Sequence, residues 1–139
     1  MMVLTLFACG VDLPPGWEDA VPVESLAQQP CGGSPYDTGI SSIVTAELAA
    51  DPLTVDATAV PFRCAQDVEG FWKESGDQVD VLVQPIDMDP RQVAGCDCLY
   101  DLAIVVGSPD AAPSAVTLWR RWDSLNDPND PVKVGEVTR

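Results

Sequence analysis

Residues 96–106 constrain the fold more than any other part of the sequence. They read CDCLYDLAIVV, a run of strand-forming residues in which side chains alternate between two faces. One face carries cysteine and apolar side chains, namely Cys96, Cys98, Tyr100, Leu102, Ile104 and Val106. The other face carries Asp97 and Asp101, which we expect to be solvated. The segment therefore predicts a core strand that is held in place by cysteine chemistry.

From about residue 38 onwards, side chains alternate in the same two-residue pattern, and no helical periodicity of useful length is present. Strand-forming runs separated by turn signals lie at residues 43–48, 54–64, 68–72, 79–84, 115–122 and 132–137. This pattern predicts an all-β fold, an immunoglobulin-like antiparallel β-sandwich of about seven strands over residues 38–139, braced by disulfides. A short helix within residues 41–50 is the alternative for the first run, because Ala, Glu and Leu favour helix there.

The charge balance and the absence of histidine exclude several classes of function. The chain has 22 acidic and 7 basic residues, which gives a formal net charge of −15. Phosphate backbones and anionic lipid surfaces repel such a chain, so we expect no nucleic-acid partner. Without histidine there is no Ser-His-Asp or Cys-His catalysis and no histidine-ligated zinc. No carboxylate pair stands out as catalytic, so we predict a protein that is not an enzyme and needs no cofactor.

The start of the chain indicates export. Residues 6–10, LFACG, resemble a bacterial lipobox in which Cys9 is the lipidated residue. Only eight residues precede Cys9 and none is basic, so residues 1–9 are interpreted as a truncated signal with its lipobox. Residues 10–37 are acidic and rich in proline, and we predict an extended tether. Gly10 after the lipidated cysteine favours the outer membrane. The alternative is that residues 3–8 form a core strand or the disordered start of a cytosolic protein.

The remaining cysteines are Cys31, Cys64, Cys96 and Cys98, an even number that suits two disulfides in an exported domain. Cys96 and Cys98 share a strand face with Cα atoms roughly 6.5–7 Å apart, so a bond between them is disfavoured. Each is expected to pair with Cys31 or Cys64, in either combination. A four-cysteine zinc site is a less favoured alternative, because structural zinc usually uses two close pairs of ligands.

The motif CDCLYDL at residues 96–102 resembles a family. Together with a strand that ends at Cys64, a following Gly/Pro turn and the lipobox, it is similar to a domain of small secreted or lipid-anchored proteins of Gram-negative bacteria. Those carry a C-x-C-[LP]-[YF]-D-[LVI] strand. The resemblance covers residues 40–122 at most, and the family pattern has a cysteine pair where this chain has Cys64 alone. It implies a β-sandwich and export, and no established activity.

Two further groups are candidate binding residues. An Asn-Asp-Pro loop offers oxygen ligands for calcium at Asp123, Asp127, Asn129 and Asp130. Its simpler interpretation is a solvated loop whose side chains cap their own turns. In the segment LWRRWD, Trp119 and Trp122 lie on opposite strand faces, as do Arg120 and Arg121, so we expect one tryptophan in the core and the other exposed. The exposed one either stacks under an arginine or forms a platform for a carbohydrate or a protein.

These observations lead to a ranked hypothesis of function. The first choice is a non-catalytic cell-envelope protein, exported and lipid-anchored to the outer membrane, that acts as a structural or interaction module. Its partners would be the membrane, through the lipid anchor, and an unidentified protein or glycan. The alternative is a calcium-stabilised adhesion or carbohydrate-binding module, and a small secreted hydrolase ranks last.

Overall fold

The structure, a computed structural model, describes residues 12–34, 41–86, 97–121 and 129–139. These residues form nine strands and no helix, and so none that is long and apolar enough to span a membrane. The strands are β1 (Val21–Pro22), β2 (Ser25–Gln28), β3 (Ile43–Glu47), β4 (Leu53–Arg63), β5 (Val68–Ser75), β6 (Gln78–Pro85), β7 (Asp97–Gly107), β8 (Ala115–Arg120) and β9 (Val132–Thr138). The all-β prediction is confirmed.

The strands form two sheets. One has five strands in the order β1-β5-β6-β8-β9, and the other has four in the order β2-β7-β4-β3. Neighbouring strands are antiparallel except β6 and β8, which are parallel. Apolar side chains from both sheets form one buried cluster, which includes Val55, Phe62, Val81, Ile104 and Leu118. The predicted disulfide-braced β-sandwich is confirmed, with nine strands and one parallel pair.

The predicted hairpins are present. In the first, β3 pairs with β4 from Ile43 opposite Thr58 to Glu47 opposite Thr54. The alternative helix within residues 41–50 is therefore wrong, because pairing with β4 overrides the local helix propensity. The second hairpin joins β5 to β6 through a turn at Gly76, whose φ of 64° suits glycine.

The N-terminal segment differs from the predicted tether. β1 pairs with the edge of β5, and β2 pairs with β7, with Leu26 opposite Ile104. Val23 and Leu26 also pack against the core. The tether prediction is thus wrong for residues 21–28, because these apolar side chains find partners on both sheets. The sandwich begins well before residue 38. Residues 1–9, with Cys9, lie outside the described residues.

Strand β7 runs through the core as its alternation predicts. Its inward side chains are buried, from Cys98 at 6% exposure to Val106 at 0%. On the other face Asp101 is exposed. It accepts a hydrogen bond from the backbone N–H of Ala59 at 3.0 Å. Ala59 has a φ of 56° and lies at the irregularity of β4 between Ala57 and Val60. Asp101 therefore stabilises a β-bulge.

Asp97 corrects a prediction, because its side chain is only 4% exposed and is not solvated. The register of β4 and β7 places Arg63 directly opposite, and its Nη1 lies 3.2 Å from Asp97 Oδ1. Burial lowers the pKa of Arg120, and the negative charge of Asp97 opposes that shift. Asp97 thus pairs with Arg63, and its negative charge also favours the charged form of Arg120.

Candidate functional site

Three cysteines, Cys31, Cys64 and Cys98, meet at one end of the sandwich. A disulfide joins Cys31, on the N-terminal segment, to Cys98 in β7, with the two Cα atoms 5.5 Å apart. The Cys64 Sγ lies 2.9 Å from the Cys98 Sγ. The four-cysteine zinc alternative is wrong, because two of its four sulfur atoms are bonded to each other. Cys96 lies outside the described residues, so its pairing with Cys64 stays a prediction.

The candidate calcium loop is described only in part. Asn129 and Asp130 are exposed residues that precede β9, whereas Asp123 and Asp127 lie outside the described residues. Within the described ranges, no three acidic or cysteine side chains are grouped so that they could hold a metal ion. The calcium hypothesis for this loop stays a prediction. Asp130 instead lies beside the tryptophan predicted as a binding platform.

Trp119 lies on the outer face of the five-stranded sheet and is half-buried. Its neighbours Val116 and Leu118 point into the core, so the alternation of β8 turns Trp119 outwards. The indole Nε1 donates a hydrogen bond to Asp80 Oδ1 at 3.0 Å, which fixes the orientation of the ring. Trp122, the other predicted platform residue, lies outside the described residues.

A short segment crosses this outer face. Residues 12–20, which we term the N-terminal strap, begin at Asp12. The Asp12 carbonyl accepts hydrogen bonds from Arg121 Nη1 at 2.6 Å and from Gln84 Nε2 at 3.0 Å. The Arg121 side chain is only 3% exposed and lies 3.3 Å from the Asp12 carboxylate. A buried guanidinium thus anchors the start of the strap to β6 and the end of β8.

A lysine anchors the middle of the strap. Lys73 of β5 donates a hydrogen bond from Nζ to the Gly16 carbonyl at 2.6 Å, and its Nζ lies 4.3 Å from the centre of the Trp17 ring. Trp17 is only 6% exposed. The nearby turn has Gly16 at a φ of 89°. There the backbone N–H groups of Glu18 and Gly16 lower the pKa of the Glu18 carboxyl.

Between the strap and the sheet lies a cavity of about 170 Å³, which we term the tryptophan pocket. Six residues line it, namely Trp17, Lys73, Asp80, Trp119, Asp130 and Pro131. They come from the strap, from β5, β6 and β8, and from the residues that precede β9. The pocket therefore brings two indoles, two carboxylates and one ammonium group to one place.

Three further cavities in the described part of the chain are larger, and two of them have polar groups that bind their own chain. In the cavity of about 370 Å³ near the disulfide, Gln28 Nε2 donates to the Gln66 carbonyl at 2.9 Å, and Gln28 Oε1 accepts from the Val68 N–H at 3.1 Å. Near the turn at Asp77, a cavity of about 270 Å³ lies where Ser114 donates to the Asp77 carboxylate at 2.7 Å. The polar groups of the tryptophan pocket also bind their own chain. Among these cavities and a further one of about 290 Å³ beside Trp72, however, the tryptophan pocket alone is lined by two indoles. We therefore take it as the candidate site.

Of the pocket residues, Trp119 and Asp130 are predicted from the sequence, although for two different sites. Trp17 falls in the segment predicted to be a tether, and Lys73 and Asp80 fall on strands without any motif around them. Lys73 and Asp80 are cross-strand partners in the β5–β6 hairpin. The predicted β5–β6 hairpin could therefore have indicated that Lys73 and Asp80 lie side by side.

We expect Lys73→Met to loosen the strap. Methionine keeps an apolar side chain of similar length but removes the ammonium that binds the Gly16 carbonyl and lies over Trp17. The loss of about 1 kcal/mol would accelerate local hydrogen exchange about fivefold. The amides to follow are those of Trp17 and Ala20, which bond to the carbonyls of Pro14 and Trp17.

Lys133→Met is the matched control. Its ammonium binds Glu136 at 2.6 Å on exposed strand β9, at the opposite edge of the sheet from β1. The same substitution there should leave the exchange of the Trp17 and Ala20 amides unchanged. Equal acceleration by both variants would show that Lys73 does not anchor the strap.

No family model matches the chain, and comparisons with curated proteins and with solved structures give no match either. The described residues themselves provide a disulfide at one end of the sandwich and an aromatic, charged pocket on its outer face.

Proposed function

We propose that the chain is an exported protein, lipid-anchored to the bacterial outer membrane through Cys9, that acts as a non-catalytic interaction module. The observation that carries the proposal is the disulfide between Cys31 and Cys98. Disulfides persist in oxidising compartments such as the periplasm and the cell surface, and are rare in the cytosol. An oxidising compartment agrees with the export that the lipobox-like residues 6–10 indicate.

The tryptophan pocket supports the binding part of the proposal. Tryptophan is enriched where proteins recognise partners, because it combines a large apolar surface with a polar N–H group. Here the N–H of Trp119 is held by Asp80, while exposed Asp130 lies at the same cavity. Arg121 and Lys73 anchor the strap to the five-stranded sheet that carries the pocket, and binding sites need such support from the surrounding fold.

The experiment is mass spectrometry of the protein isolated from the membranes of its native host. We expect an acylated N terminus at Cys9 and, in a non-reducing digest, a peptide that links Cys31 to Cys98. The Cys9→Ala variant is the control, and it should leave the membrane fraction while retaining the Cys31–Cys98 link. An unmodified Met1 together with reduced Cys31 and Cys98 would contradict the proposal.

A further inference from the structure

We propose that the tryptophan pocket recognises a basic side chain, with arginine preferred, presented by a protein partner. This inference rests on the proposed function, which assigns the pocket as the binding surface, and it names the chemical group recognised there. Three properties of the pocket carry it, namely charge, aromatic surface and size.

The charge of the pocket favours a cation. Its lining contains the carboxylates of Asp80 and Asp130 and the single ammonium of Lys73. Lys73 already binds the Gly16 carbonyl at 2.6 Å and lies over Trp17, so its charge is directed towards the strap. One negative charge remains in excess at the pocket, on a chain whose net charge is −15. The excess charge of the pocket and the net charge of the chain both attract a basic partner. A neutral sugar gains no electrostatic attraction from either charge.

The aromatic side chains favour a cation as well. Lys73 Nζ lies 4.3 Å from the centre of the Trp17 ring, so one indole of the pocket already binds an ammonium group of the same chain. Trp119 donates its N–H to the Asp80 carboxylate at 3.0 Å. This bond orients the ring and polarises it towards greater electron density. A guanidinium group can stack on such a ring and bind a carboxylate with its N–H groups.

The size of the pocket fits a single head group. Its volume of about 170 Å³ is below the roughly 300–1,000 Å³ of typical small-molecule sites. One planar guanidinium fits such a space with its stem leading outwards to the partner. Because Asp130 is exposed, it is accessible to a side chain that approaches from solvent.

The test is an NMR titration of the full chain with its disulfides formed. The probes are the peptide acetyl-Gly-Arg-Gly-amide and the same peptide with citrulline, the neutral isostere of arginine. The signal is the indole N–H of Trp119, which is assigned by its disappearance in Trp119→Phe. We expect the arginine peptide to shift this signal to saturation at millimolar concentration, with an affinity that falls as NaCl is added. The citrulline peptide should leave the signal unmoved.

Asp130→Asn tests the contribution of charge without a change of shape. Because Asp130 is exposed, the substitution should not affect folding, and we expect about a threefold loss of affinity for the arginine peptide. Asp56→Asn is the matched control. It removes the same charge from an exposed position of β4, in the other sheet, and should leave the affinity unchanged.

Three results would overturn the inference. Equal binding of the arginine and citrulline peptides would show that charge is not recognised. A shift of the Trp119 signal by a chito-oligosaccharide, with none by the arginine peptide, would make the pocket a glycan site. If neither the arginine peptide nor the chito-oligosaccharide shifts the signal, the pocket is a site for neither ligand. Acylation of Cys9 is measured on protein from the native host, so the proposed export and lipid anchoring are tested independently of these results.

Discussion

Replacing Cys31 and Cys98 together by alanine is expected to lower the free energy of unfolding by about 4 kcal/mol. The disulfide closes a loop across 67 positions of the chain, so its loss returns much conformational freedom to the unfolded state. The melting temperature should fall by on the order of 10–15 °C. Urea unfolding followed by tryptophan fluorescence measures the change directly.

The single variants provide the control for this prediction. All variants carry Cys64→Ala, because the Cys64 Sγ lies 2.9 Å from the Cys98 Sγ and would offer it another partner. In that background Cys31→Ala and Cys98→Ala each break the same bond, so each should cost about as much as the double variant. The measurement is made near pH 5, where thiolate attack on other disulfides is slow. Costs that add up in the double variant would show that the two residues act separately and would contradict a stabilising bond between them.

Asp97→Asn is expected to destabilise the protein by about 3 kcal/mol. The Asp97 carboxylate is 4% exposed and lies 3.2 Å from Arg63 Nη1, while its charge also opposes the lowering of the Arg120 pKa by burial. Asparagine keeps the shape of the side chain but leaves two partly buried cations without that negative charge. Urea unfolding again measures the loss.

Asp101→Asn is the matched control, on the same strand and with the same chemical change. Asp101 is exposed, and its Oδ1 accepts the Ala59 N–H, a bond that an asparagine oxygen can also form. We expect a cost of about 0.5 kcal/mol or less. If the Asp97 and Asp101 variants prove equally stable, the buried ion pair contributes nothing and the prediction is wrong.

The alternation of the sequence predicts most of the sandwich, because period two is a local property of long strands. The core face of β7 follows directly from it, as do the β3–β4 and β5–β6 hairpins. It does not reveal β1 and β2, which are only two and four residues long. Such short strands carry no readable period, and they form because neighbouring strands offer edges with which they pair.

The candidate site is harder to predict, since its residues come from separate elements. Trp17 joins Trp119 only because the strap folds back over the five-stranded sheet. The burial of Asp97 depends on the register that places it opposite Arg63, and that register shifts at the bulge between Ala57 and Val60. A one-residue shift of this kind has no signature in the sequence, so the alternation alone could not predict the burial of Asp97.

The strand order has a consequence for how this fold can be divided or inherited. One sheet takes β1, β5, β6, β8 and β9 from the chain, and the other takes β2, β3, β4 and β7. No continuous fragment contains all strands of either sheet without strands of the other. An exchange of gene segments within the described region therefore cannot transfer one layer alone, and a truncated product would expose an unmatched apolar face. We therefore expect the two sheets to unfold together in a single cooperative transition.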